Sequence, residues 1–163
     1  TPEELLTQMV TRFDEVLTRL GYGAAPQTVG MSAYQTVVLA SLIEREARVG
    51  SERAKISRVI HNRLAANWPL GIDASIIYVT GNTQLTLTDL QTESPYNTRL
   101  VKGLPPTPIG SAGEASLEAA MAPLPGQWMY YVLADEDGRH NFSVSAEEFE
   151  RDKAKCQERG LCG

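Results

Sequence analysis

The chain has 163 residues, enough for one domain with a sizeable core, and its 42% hydrophobic and 21% charged residues match an ordinary folded globular protein. A net charge of −5 argues against a nucleic-acid partner, which would call for a basic face. No run reaches the ~20 apolar residues a bilayer span needs, and no cleavable signal pattern opens the chain.

The first residues, Thr1-Pro2-Glu3-Glu4, read as a helix start rather than a translation start, so a longer parent protein is expected to have been trimmed. Thr1 serves as N-cap, Pro2 occupies the first position and Glu4 closes a capping box. Leu5, Leu6, Met9, Val10, Phe13, Val16, Leu17 and Leu20 continue this helix amphipathically until Gly21 and Gly23 stop it. Residues 24 to 31 read as a loop, after which Ser32 caps a central helix running to about Val49, with Gly50 ending it.

Ser51 and Glu52 open the next helix, with Ile56, Val59, Ile60 and Leu64 inward and Arg53, Lys55 and Arg58 outward, ending before Pro69-Leu70-Gly71. So short a connection makes the two helices a close hairpin. Asn62-Arg63, near the end of the second, either reaches a cleft or faces solvent. Ile72 to Thr80 fits a short strand or a short helix beginning after Asp73 equally well, because Asp73 and Ser75 are capping residues. Leu85 to Leu87 reads as extended, Thr88 caps a short helix over residues 89 to 92, and Pro95 blocks its continuation.

Residues 94 to 113 hold four prolines and three glycines, too many for regular structure. The interleaved Tyr96, Leu100, Val101, Leu104 and Ile109 favour a packed loop forming a cleft wall over a linker. A helix follows over Glu114 to Met121, ended by Pro123. Trp128 to Ala134 is the best strand by aromatic and β-branched content; residues 135 to 138 turn it, and His140 to Val144 return antiparallel. Ser145 caps the last helix, whose acidic start and basic end suit the helix dipole. Cys156 and Cys162 close a small disulfide loop if the compartment is oxidising, or are otherwise two free thiols; their spacing fits no zinc pattern.

The central helix holds the most informative position. At about 100° per residue, Leu39, Leu42, Ile43 and Val49 share one stripe whose centre is Glu46. A carboxyl held among apolar groups is costly to ionise, so it stays protonated toward neutral pH, as a general acid must. The plainer reading puts Glu46 at the rim, stem packed and head in water. Glu44, roughly 200° away round the helix, falls on the polar side, where an i,i+4 ion pair with Arg48 explains it.

Four segments, agreeing in order and spacing over about residues 35 to 145, resemble the catalytic domain of the YceG-like (MltG) family of endolytic murein transglycosylases. Residues 40 to 47, Ala-Ser-Leu-Ile-Glu-Arg-Glu-Ala, look like its Glu-Lys-Glu helix, and Val59 to Leu64, with His61-Asn62-Arg63-Leu64, like its Asn-Arg-Leu helix. Tyr96-Asn97-Thr98 with Gly103-Leu104-Pro105-Pro106-Thr107-Pro108-Ile109 is similar to its Tyr-Asn-Thr and Gly-Leu-Pro-Pro loop. The fourth is Asp137-Gly138-x-His140-x-Phe142.

The resemblance implies an α+β fold, mainly helical, with a small antiparallel β element and a long Pro/Gly-rich loop lining a cleft. It implies one catalytic domain over residues 1 to 163, without the membrane anchor and LysM-like subdomain that precede it in the family. The second acid of Glu-x-Glu is then catalytic, which maps to Glu46, while Ala47 replaces the Ser or Thr that other transglycosylase families carry after that acid. Glu44, Asn62, Asp73, Tyr96, Asn97, Thr98 and His140 become candidate substrate-binding residues. Asp73 is equally well explained as a cap, and His140 as a surface or supporting residue beside a turn. No metal cluster or phosphate-binding glycine loop is visible, so no cofactor or metal is expected.

The implied reaction cuts the β-1,4 bond between N-acetylmuramic acid and N-acetylglucosamine and leaves 1,6-anhydro ends. The implied partners are peptidoglycan glycan strands and wall synthases. The implied location is the extracytoplasmic face of the bacterial cell membrane, as a soluble domain of a single-pass membrane protein. The competing expectation is an inactive glycan-binding or scaffold module of the wall-synthesis machinery; a normal Glu46 pKa would favour it.

Overall fold

The computed structural model describes residues 1–162. Helix α1 spans Pro2–Arg19, α2 Ala25–Thr28, α3 Ala33–Glu46, α4 Arg53–Ala65, α5 Asp73–Thr80, α6 Leu87–Leu90 and α7 Glu114–Met121. Strands β1 (Tyr130–Leu133) and β2 (His140–Ser143) form an antiparallel hairpin, and α8 (Ala146–Glu158) ends the order. The fold is therefore α+β with helix predominating.

Helix α3 is the axis of the molecule. Ser32 and Gln35 form a reciprocal capping box that starts it, and Val38, Leu39, Ala40, Leu42 and Ile43 are at most 1% exposed. Thr36 and Ser41 are buried as well, so the middle of α3 is enclosed on all sides rather than along one stripe. Around it lie Ile56 and Ile60 of α4, Leu117 and Ala120 of α7, Ala74 of α5, and Leu70, Ile72 and Ile109 from connecting segments. The two polar members are satisfied locally: Thr36 Oγ1 donates to Ser32 O, and Ser41 Oγ donates to Val38 O while accepting from Ile109 N–H.

Several boundaries differ from the sequence reading. Helix α3 stops at Glu46, three residues early, because Ala47 is extended (φ −80°, ψ 103°). Val49 thus lies outside the helix and outside the expected stripe. The supposed loop over residues 24 to 31 begins with a 3-10 turn at Tyr22–Ala24 and contains α2, whose early Pro26 has a φ already suited to a helix start. Residues 73 to 80 are helical, which resolves the open choice; Asp73 is the first residue of α5 and not its cap. The short helix α6 is capped by Thr86 rather than Thr88, since Thr86 and Asp89 have the spacing of a capping box.

Helix α1 has the expected start, yet Leu5, Leu6, Met9, Val10 and Phe13 are exposed and only Val16 is buried. Its end is anchored by the buried Tyr22, whose hydroxyl donates to Leu117 O at 2.9 Å. The hairpin register pairs Tyr131 with Phe142 and Leu133 with His140, so these four side chains share one face by the two-residue period of a strand. Tyr130 on the other face stacks on Phe149 of α8, with centroids 4.9 Å apart. Gly138 makes the turn possible at φ +87°, where a Cβ would also meet the Arg48 side chain at 2.7 Å. A disulfide joins Cys156 to Cys162 and closes the turn after α8.

Candidate active site

Glu46 is the last residue of α3, so its side chain leaves the helix where the core gives way to a cavity of about 400 Å³. Arg63 of α4, Asp73 of α5, Arg99 of the long loop, Tyr131 of β1 and Lys153 of α8 line the same space. Residues far apart in sequence thus converge on one carboxyl.

The Tyr131 hydroxyl donates to Glu46 Oε2 at 2.7 Å. Burial pushes the Glu46 carboxyl above its ordinary range; Asp73 adds to the rise, while the Tyr131 bond, His140 and Arg63 oppose it. Burial also raises the Tyr131 phenol well above its usual value, with Glu46 acting in the same direction, so the phenol keeps its proton and is the donor. Arg63 is fixed by its own hydrogen bonds, Nε to Met129 O at 2.6 Å and Nη1 to Leu70 O at 2.5 Å. Asp73 is exposed and paired with Arg99, Nη2 to Oδ1 at 2.6 Å and Nε to Oδ1 at 2.9 Å.

The other candidate residues are spread over several tasks. Glu44 makes no ion pair with Arg48; its Oε2 accepts from Gly113 N–H at 3.1 Å and Ser116 Oγ at 2.6 Å, so it ties the end of α3 to the start of α7 and does not line the cavity. Asn62 donates to Gly126 O and Trp128 O, bracing the approach to β1, and among the described residues it is Arg63 of that motif that lines the Glu46 cavity.

Asn97 and Thr98 are each 1% exposed, which leaves no room for the sugar contact expected of them. Asn97 donates to Leu90 O and Thr92 O, and Thr98 Oγ1 accepts from Ile72 N–H at 2.9 Å and lies 3.0 Å from Ser75 Oγ. They hold the loop to the start of α5, which sets Arg99 beside Asp73. Tyr96 bonds Thr107 and packs near Tyr78, away from the cavity lining. His140 is held by Glu52, packs edge-on against the ring of Tyr131 and acts on Glu46 through its charge.

The Pro/Gly-rich loop divides its contribution. Arg99 enters the Glu46 cavity, whereas Gly103-Leu104-Pro105-Pro106 lines a separate cavity of about 660 Å³ with Tyr34, His61 and Asn62. Among the described residues that larger space has no carboxylate in its lining, although His61 borders it. Arg63, Arg99, Tyr131 and Lys153 were not among the expected site residues; strand alternation would have put Tyr131 on one face with Leu133, but not against Glu46.

A Bacillus subtilis (strain 168) protein named endolytic murein transglycosylase is 37% identical over 127 residues, covering 77% of this chain and 35% of its own length. A Streptococcus pneumoniae protein of the same name is 25% identical over 162 residues, covering 95% of this chain and 29% of its own. A crystal structure of a YceG-like protein from Listeria monocytogenes superposes with a TM-score of 0.83 at 33% identity, covering 93% of this chain and 49% of that one. The chain thus spans about a third to a half of the length of these relatives. Residues 1–155 match the YceG-like family, and the chain belongs to it.

Proposed function

We propose that this domain cleaves peptidoglycan glycan strands as an endolytic lytic transglycosylase, with Glu46 as general acid and then general base. The observation that carries the reading is a carboxyl whose burial raises its pKa while it borders a cavity open to a ligand. The names of the relatives support the substrate class and the reaction class.

In the first step Glu46 gives its proton to the glycosidic oxygen as the bond from C1 of N-acetylmuramic acid breaks and the N-acetylglucosamine end departs. In the second step the carboxylate takes the proton of the C6 hydroxyl as that oxygen closes on C1, giving the 1,6-anhydro ring. No water is consumed, so the reaction is an intramolecular transglycosylation, classed with the lyases. Ordinary glycosidases need a second carboxylate as nucleophile or water activator. Here the substrate supplies the nucleophile, which is consistent with Asp73 being tied to Arg99 by a doubly hydrogen-bonded ion pair rather than left free. The substrate acetamido group is the partner expected to stabilise the cationic centre.

The raised Glu46 pKa favours this reading over an inactive glycan-binding module, for which a normal carboxylate would serve as well. The parent protein is proposed to act at the extracytoplasmic face of the membrane beside wall synthases. Among the described residues no helix is long and apolar enough to cross a bilayer, so an anchor would lie elsewhere in the parent. Incubation of the purified domain with glycan strands, followed by mass spectrometry, tests the activity. Product ends one water lighter than hydrolysed muramic acid are expected, and hydrated ends would identify a muramidase instead.

A further inference from the structure

We propose that Tyr131, braced by a buried Glu52–His140 pair, is a positioning residue that decides which oxygen of Glu46 carries the transferred proton. The inference rests on the acid-base reading of Glu46 given above and adds to it the means by which that carboxyl is aimed.

The phenol occupies Oε2 as a donor at 2.7 Å, so the acid form of Glu46 carries its proton on Oε1. Oε1–H is then the group that meets the glycosidic oxygen, and Oε1 is the atom that later takes the C6 hydroxyl proton. As the proton leaves, negative charge develops on the carboxyl, and the Tyr131 bond to Oε2 strengthens because its acceptor becomes ionised. An interaction that is stronger in the transition state than in the ground state accelerates the step. Tyr131 therefore fixes orientation and stabilises developing charge through Glu46, without requiring contact with the sugar.

What keeps the phenol there is the hairpin. His140 sits on the same face of it, with its ring edge-on to Tyr131 at 5.4 Å and an interplanar angle of 85°. Glu52 grips His140 with both oxygens: the backbone N–H of His140 donates to Oε1 at 3.0 Å, and Nδ1 lies 2.8 Å from Oε2. The two side chains are only 10% and 12% exposed, well removed from the solvent that weakens surface pairs. Glu52 lies in the 3-10 turn Gly50–Glu52, a few residues after Glu46 in the chain. The pair thus clamps β2 to the segment that continues from the catalytic carboxyl, and Tyr131 and Glu46 are held in register from both sides.

The charged and titratable groups facing Glu46 come from every neighbouring element: Arg63 from α4, Asp73 from α5, Arg99 from the loop, Tyr131 and His140 from the hairpin, and Lys153 from α8. Of these, Tyr131 alone makes a hydrogen bond to Glu46 among the described residues. Substituting it with Phe removes that bond and keeps the ring.

The test uses the chain as it stands, with Tyr131→Phe and His140→Gln. One readout is the titration of Glu46 by carbon NMR on glutamate-labelled protein without substrate; the other is kcat and KM on glycan strands across pH. Tyr131→Phe is expected to move the Glu46 midpoint upward, to move the matching limb of the pH profile the same way, and to lower kcat by roughly 10- to 100-fold with KM unchanged. His140→Gln is expected to shift both in the same direction by less, and it provides the reading if Tyr131→Phe does not fold. An unaltered Glu46 titration or unaltered kcat in the folded variant would overturn the proposal. Failure of the parent reading would look different: the unmodified domain would release no anhydro ends, while the NMR titration would still report the Tyr131–Glu46 link.

Discussion

At the scale of the residue, Glu46 bears a conflict between stability and chemistry. Its folded pKa lies above the unfolded carboxylate value, so the folded state holds the proton more tightly. Stability is therefore complete below the unfolded pKa and is lost as pH rises through the folded one. Glu46→Gln keeps the shape and removes the charge, so its melting temperature is expected to exceed that of the parent at neutral pH, with the difference vanishing as pH falls below the ordinary carboxylate range. Melts of both proteins over that pH interval check this; a Gln variant that melts lower at neutral pH would contradict it. Glu46 was singled out in the sequence by the local apolar residues of α3, whereas the groups around its carboxyl come from α4, α5, the long loop, β1 and α8. Tyr131 was not, since its bond to Glu46 spans 85 positions and depends on how the hairpin docks. Asn97 and Thr98 were misread for a related reason: a motif names polar residues but not whether they face a ligand or their own backbone.

Among elements, α3 and the long loop set the site through a few polar contacts in an apolar surround. Ser41 Oγ accepts the Ile109 N–H at 3.0 Å, which ties residues 94 to 113 to the middle of α3. Ser41→Ala strands that N–H in the core and is expected to cost about 1–3 kcal/mol, read by denaturant unfolding. Glu44 performs the corresponding task for α7. Glu44→Ala removes the acceptor for Gly113 N–H and Ser116 Oγ, and a loss of about 1–3 kcal/mol is expected, as for hydrogen bonds lost at a partly buried contact. Cleavage per folded molecule should survive it; loss of activity at full stability would instead return Glu44 to the substrate. Helix starts were readable to the residue at Thr1, Ser32 and Ser145, where a reciprocal capping box is written within four residues. Helix ends were readable at α7, which stops at Met121 as expected, but not at α3, whose stop at Glu46 depends on the extended Ala47 and on packing from distant segments.

Across the whole molecule, one core joins α3, α4, α5 and α7, while β1 and α8 reach Glu46 from outside it. Leu39, Leu42 and Ile43 of α3 pack with Ile60 of α4, Ala74 of α5 and Leu117 of α7. The disulfide lies outside this core, and Cys162 borders the Glu46 cavity. Because it closes a loop with a sequence separation of only 6, replacing both cysteines by Ser is expected to cost only ~2 kcal/mol, visible as a lower melting temperature with the fold retained. The fold class was legible because hydrophobic period and caps are local signals, although α2 was read as loop and residues 73 to 80 were left between strand and helix. The division of the long loop between two cavities was not, since prolines and glycines exclude regular structure without saying where the chain goes instead. The most direct test of Glu46 as acid and base is a side-by-side digest of glycan strands by the parent chain and Glu46→Gln, with both confirmed folded and product ends weighed by mass spectrometry. Anhydro-muramic ends from the parent and none from the variant are predicted; anhydro ends released at comparable rates by both would contradict the central role of that carboxyl.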